Sequence, residues 1–79
     1  MTKVEIRCYA TLRELLPEGA EGGVYRYDTD KTTVEGIADE LYLPKDQLHL
    51  IIKNGIRVDL KEKIEDGDRI GFFPPVGGG

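Results

Sequence analysis

One stretch of the sequence, Thr32 to Leu41, carries the apolar spacing of a full helix, and the other apolar runs either alternate or are too short to make one. Thr32-Thr33-Val34-Glu35 has capping-box spacing at its start, and Val34, Ile37, Ala38 and Leu41 follow at i, i+3, i+4 and i+7. A single helix with one apolar stripe must bury that stripe, and the strands around it are the available partner. At 79 residues the chain is one domain, close to the size at which a single core just suffices. These facts together predict one main helix packed on a sheet, with no room for a deep catalytic cleft. Gly36 inside the helix costs about 1 kcal/mol relative to alanine, so its presence predicts a close approach to a strand.

The flanking segments supply the strands. Val4, Ile6 and Cys8 alternate with Lys3, Glu5 and Arg7, the period of a half-buried first strand. Thr11-Leu12-Arg13-Glu14 has a second capping-box spacing, with Leu12, Leu15 and Leu16 expected on one side of a short helical turn that Pro17 ends. The Gly-rich stretch Pro17–Gly23 reads as a loop into a strand near Val24–Asp28; it lacks the Lys-Ser/Thr ending of a phosphate-binding P-loop. Pro44 bars further helix. Leu48–Lys53 reads as a strand, Asn54-Gly55 as a hairpin turn, Ile56–Val58 as the return, and Arg69–Phe73 as the last strand after the turn Glu65–Asp68. Val4, Ile6, Val34, Ile37, Leu41, Ile52 and Ile70 are the expected core.

Composition narrows function by exclusion. With 39% hydrophobic and 33% charged residues the chain is expected to fold as a globular unit. A formal charge of −4 argues against nucleic acid or an anionic membrane as partner and suggests a basic protein surface instead. No apolar stretch approaches a membrane span and no signal peptide is evident, so the expected location is cytoplasmic. The single Cys8 excludes an internal disulfide and, with only His49 beside it, a zinc set; no metal or bound cofactor is expected. Cys8 is read as a buried, inert thiol and His49 as a strand-face residue. Without any serine the chain offers no hydrolytic triad of the Ser-His-Asp kind.

The specialised segment is the end. Phe72-Phe73 leads into Pro74-Pro75-Val76-Gly77-Gly78-Gly79, which divides the chain into a domain over residues 1–73 and a tail over 74–79. Two prolines favour an extended conformation that loses little entropy on docking, and glycines have no Cβ to obstruct a narrow channel. Such a tail can offer the carboxylate of Gly79 to a distant active site.

Particular residues then suggest a family. Tyr9-Ala10-Thr11-Leu12-Arg13-Glu14 after the first strand, Asn54-Gly55 in the hairpin, and Asp66-Gly67-Asp68-Arg69-Ile70-Gly71-Phe72-Phe73-Pro74-Pro75-Val76 before the glycines resemble the MoaD/ThiS family of ubiquitin-like sulfur carriers, over the whole chain. The Leu-Arg-Glu turn and the Phe-Phe-Pro-Pro ending look more like the molybdopterin-synthase small subunit than the thiamin carrier. Family tails end in Gly-Gly after a varied residue, a place that Gly77 takes here. The resemblance implies an α+β β-grasp fold, a mixed sheet of four to five strands on one main helix. It implies that Gly79 is adenylated by an ATP-dependent, ubiquitin-activating-type adenylyltransferase and converted to a thiocarboxylate by a sulfur donor such as a desulfurase or a rhodanese-like protein. A larger catalytic synthase subunit would then use that sulfur for molybdopterin, in molybdenum or tungsten cofactor assembly, so the resemblance implies a carrier rather than an enzyme. Sulfur delivery to thiamin thiazole or another pathway, and a ubiquitin-like modifier that joins Gly79 to lysines, are the alternatives.

Tyr9 is out of register with Val4, Ile6 and Cys8, and Phe73 with Ile70 and Phe72, which places both on the helix-free sheet face. As an aromatic pair they are candidates for an interface anchor, together with Pro74, Pro75 and Val76; packing at the sheet edge or beneath the tail is the other reading. Arg69 beside the acidic turn is read as a solvated charge rather than a partner contact.

Overall fold

The structure is a computed structural model that describes residues 1–75. Five strands, β1 (Thr2–Cys8), β2 (Val24–Thr29), β3 (Leu50–Lys53), β4 (Ile56–Val58) and β5 (Asp68–Phe73), form one sheet in the order β2-β1-β5-β3-β4. The central pair β1–β5 is parallel and the other pairs are antiparallel. The helix α1 (Val34–Glu40) connects the two halves and covers one face, which is the anticipated β-grasp architecture. Val34, Ile37, Ala38 and Leu41 of the helix region are buried with Val4, Ile6, Cys8, Ile51, Ile70 and Phe72 of the sheet.

The helix begins one residue later than its sequence suggests. Thr33, not Thr32, is the N-cap, and its hydroxyl accepts from the Gly36 amide at 3.1 Å. The cause is tertiary: the amides of Val34 and Glu35 donate to the carbonyls of Glu62 and Leu60, both at 2.9 Å, so the β4–β5 connection satisfies two of the groups a helix start leaves open. Gly36 does admit a close neighbour, but it is the Lys31 side chain, 3.0 Å from where a Cβ would stand, and not a strand. The early turn also differs. It is a 3₁₀ turn over Ala10–Leu15 with Tyr9 at its N-cap and no side-chain cap, so the Thr11–Glu14 capping box does not form. Leu12 is buried and Leu16 packs against the core, whereas Leu15, expected on the same side, is exposed. Gly23 closes the loop that follows, with φ +80 and a Cβ position only 2.8 Å from the Cys8 carbonyl, so its need is structural.

The helix stops before Pro44 is reached. Leu43 N–H donates to the Ala38 carbonyl and Tyr42 N–H to the Asp39 carbonyl, the double closure of a Schellman motif, which puts Tyr42 at φ 58 with 90% of its surface exposed. A left-handed tyrosine carries a Cβ clash that glycine lacks, partly offset by glycine's larger unfolded-state entropy. Tyr42→Gly is therefore expected to stabilise the domain by roughly 0.5–1 kcal/mol, read as a higher denaturant midpoint at unchanged slope.

Strand β3 starts at Leu50, leaving Leu48 buried and His49 exposed ahead of it, so His49 is not a strand-face residue. Its parity also corrects the expected core: Ile51 opposite Phe72 faces the helix, while Ile52 opposite Gly71 faces the other way. The continuous apolar run Leu50-Ile51-Ile52 hides that choice, because only the pairing with β5 decides it.

Candidate functional site

The helix-free face of the sheet is built by the other half of the same alternation. Pairing places Glu5 beside Arg69, Arg7 beside Gly71, Arg26 beside Glu5, and Arg57 beside Ile52, all on this side. Tyr9 follows Cys8 and stays attached to the sheet through its amide, which donates to the Phe72 carbonyl at 3.2 Å. That bond aligns Tyr9 with Phe73, and the rings stack with centroids 4.1 Å apart and planes 6° from parallel. Sequence reasoning put both residues on this face, and the structure brings them together. Gly71 lies beneath: a Cβ there would stand 3.4 Å from the Phe73 ring and 3.5 Å from the Tyr9 ring, so the absence of a side chain lets the rings lean across the sheet. Ile52, Arg7, Arg69 and Asn54 complete a shallow, open hollow around the pair.

The charge on this face opposes that of the chain. Four of the five arginines, Arg7, Arg26, Arg57 and Arg69, lie on it with Lys3, against the carboxylates Glu5 and Asp28 among the strand positions. Glu5 accepts from Arg7 Nε at 2.6 Å and from Arg26 Nε at 3.0 Å. The Arg7 hydrogen bond, with help from Arg26, holds the Glu5 carboxyl below the usual carboxylate range despite its partial burial. Arg57 and Arg69 make no ion pair among the described residues. A chain of net charge −4 therefore presents a basic, aromatic-centred sheet face, and the surface complementary to it is acidic and apolar. This reverses, for this face, the expectation of a basic partner drawn from net charge. Sequence reasoning missed Arg7, Arg57, Gly71 and Ile52 as its components; Arg7 at least shares the outward parity of Tyr9.

Pro74 is half-buried and Pro75 exposed, so the chain leaves β5 beside the Tyr9–Phe73 stack. Val76, Gly77, Gly78 and Gly79, which carry the expected reactive end, lie outside the described residues. Elsewhere the chemistry is quiet. Cys8 is 2% exposed and burial pushes its thiol up to about 11, so it stays protonated at neutral pH and is a poor nucleophile. Among the described residues no group of three His, Cys, Asp or Glu side chains could hold a metal ion, and no helix is long and apolar enough to cross a membrane.

Comparison with known proteins decides the family. The ThiS family model matches residues 2–79. The chain belongs to the ThiS family. No curated protein sequence matches it. Among solved structures, small archaeal modifier protein 1 of Haloferax volcanii is similar at 25% identity and a TM-score of 0.73, over 96% of this chain and 100% of that one. The Haloferax volcanii HVO 2177 protein is 30% identical with a TM-score of 0.67, over 99% of this chain and 87% of that one. A Pyrococcus furiosus protein provisionally named molybdopterin converting factor, subunit 1, shares the fold at 23% identity and a TM-score of 0.71, over 96% of this chain and 100% of that one. The ThiS-family chain is thus a ubiquitin-like protein of the sulfur carrier and modifier group, whose small members are generally non-catalytic and work with activating enzymes and catalytic partners.

Proposed function

We propose that this protein is a sulfur carrier that receives sulfur at the carboxylate of Gly79 and delivers it in molybdopterin-type cofactor assembly, docking its partners through the Tyr9–Phe73 face. The observation that carries this reading is the position of the stack: an aromatic pair on the helix-free sheet face stands where β5 ends and Pro74 and Pro75 begin the tail. A partner that grips this face also holds the residues from which the tail starts. The family membership and the name of the Pyrococcus furiosus fold relative support the pathway.

The chemistry asks little of the carrier. A carboxylate is a poor electrophile, so a Gly79 oxygen attacks the α-phosphorus of ATP on the activating enzyme, releasing pyrophosphate and leaving an acyl-adenylate. A persulfide or sulfide donor then attacks the acyl carbon and expels AMP; a persulfide adduct needs a thiol to cleave its S–S bond before the thiocarboxylate is free. The thiocarboxylate sulfur is a soft nucleophile for the acceptor. ATP, acid, base and metal belong to the partners: an adenylyltransferase, a desulfurase or rhodanese-like donor, and a larger synthase subunit.

The test is the mass of the last peptide after incubation with the cognate activating enzyme, ATP and sulfur donor. Exchange of one oxygen for sulfur at Gly79 is expected. An unchanged peptide with an activating enzyme shown to be competent would overturn the reading. The similarity to small archaeal modifier protein 1 supports a second reading, conjugation to lysines. It predicts isopeptide-linked targets that carry the Gly79 end, with no transferable sulfur.

A further inference from the structure

Asn54 is the chain's one asparagine, it precedes Gly55, and it occupies the tip of the β3–β4 hairpin in the left-handed conformation, φ 52, with Gly55 at φ 84. Glycine after asparagine exposes an unhindered backbone nitrogen to the side-chain carboxamide, the arrangement in which asparagine is least durable. Yet both the nitrogen and the oxygen of this carboxamide are engaged. Its Nδ2 donates to Asp68 Oδ1 at 2.8 Å and its Oδ1 accepts from the Arg69 amide at 2.9 Å. The Asn54 amide in turn donates to the Arg69 carbonyl at 2.8 Å. Asp68 is only 7% exposed, and its other oxygen accepts from the Glu65 amide at 2.7 Å, so the acceptor itself is fixed.

We propose that Asn54 is a conditional modification site, a carboxamide primed for intramolecular cyclisation by Gly55 and held back by its clasp to Asp68 and Arg69. Cyclisation forms a bond between the Gly55 nitrogen and Asn54 Cγ and breaks the bond from Cγ to Nδ2. Nδ2 departs as ammonia with the proton from the Gly55 amide. Water then opens the resulting imide at one of its two carbonyls, giving aspartate or isoaspartate. The side chain and backbone must rotate for the ring to close, and each of the three hydrogen bonds opposes that rotation while the clasp is shut. Opening it, by local unfolding or by a partner that pulls the hairpin from β5, starts the reaction.

The product cannot restore the clasp. Aspartate at 54 has no donor for Asp68 Oδ1 and sets two carboxylates against each other; isoaspartate also lengthens the main chain by a carbon and displaces the turn. Asn54, Gly55 and Arg69 line the hollow beside the Tyr9–Phe73 stack, so the change reaches the docking face. That consequence rests on the proposed docking role, whereas the conversion itself does not.

The experiment follows the full-length protein in mildly alkaline buffer at physiological temperature and reads the amide-to-acid mass gain on the peptide that contains Asn54. Urea-denatured chain is expected to convert at least about tenfold faster than folded chain, and folded Asp68→Ala is expected to close most of that gap. Equal rates for folded and denatured wild type would overturn the proposal, as would an Asp68→Ala variant that unfolds cooperatively and protects Asn54 as well as the parent does. Should Asp68→Ala not fold, wild type in sub-denaturing urea decides. There the conversion rate must rise in step with hydrogen exchange of the Arg69 amide, and a rate indifferent to that exchange sinks the clasp.

Discussion

Removal of Gly78 and Gly79 is expected to abolish acyl-adenylate formation while leaving the thermal midpoint unchanged. The shortened chain still ends in a glycine carboxylate, that of Gly77, so the reactive group is not lost. What is lost is reach: two extended residues span about 7 Å, far more than the few tenths of an ångström over which an attacking oxygen can be misplaced and still react. Stability should not respond, because the buried cluster ends at Phe72 and the β5 ladder at Phe73. Docking should survive as well, since Tyr9, Phe73 and the arginines around them are untouched, so the truncated protein should compete with the full-length carrier for its activating enzyme. Adenylation is measured by pyrophosphate release and binding by competition. Normal adenylation in the truncated chain would remove Gly79 from the mechanism, and loss of binding would make the glycines part of the affinity rather than the reach.

What could be read from the sequence is what alternation alone determines. Val4, Ile6 and Cys8 against Arg7 and Tyr9, and Ile70 and Phe72 against Arg69 and Phe73, fix which residues meet the helix without knowledge of the neighbours, and the structure keeps every one of those assignments. The Asn54-Gly55 turn is equally legible, because a two-residue hairpin turn of type I′ needs left-handed backbone at both positions, which Asn-Gly tolerates best. The failures share a different cause. Ile52 was misplaced because its parity depends on pairing with β5, a contact distant in sequence. The helix start moved because Leu60 and Glu62 supply the acceptors for its first amides. The basic character of the docking face was hidden by a net charge that sums over both faces, and the Asn54–Asp68 clasp joins two turns that no local pattern connects.

Phe72 and Phe73 put the alternation to its sharpest test, because adjacent, identical side chains should respond oppositely to the same substitution. Phe72 is fully buried, the largest side chain in the core to be so, and lies between Cys8 of β1 and Ile51 of β3. Phe72→Ala leaves a cavity that its parallel and antiparallel neighbours cannot both close, at a cost of about 3–5 kcal/mol. A domain this small starts near the lower end of the usual range of about 5–15 kcal/mol, so that loss leaves a large unfolded fraction at physiological temperature. Phe73→Ala removes a half-buried ring whose main partner is Tyr9, with a stacking contribution of about 0.5–1.5 kcal/mol beyond its buried area. It should remain folded and lose affinity for the activating enzyme by at least the tenfold that about 1.4 kcal/mol represents, as expected of an aromatic anchor in an interface. Denaturant midpoints and partner titrations on both variants separate the roles. A Phe73→Ala protein that binds normally would assign the stack to covering the sheet, and a Phe72→Ala protein as stable as its parent would contradict the register of β5.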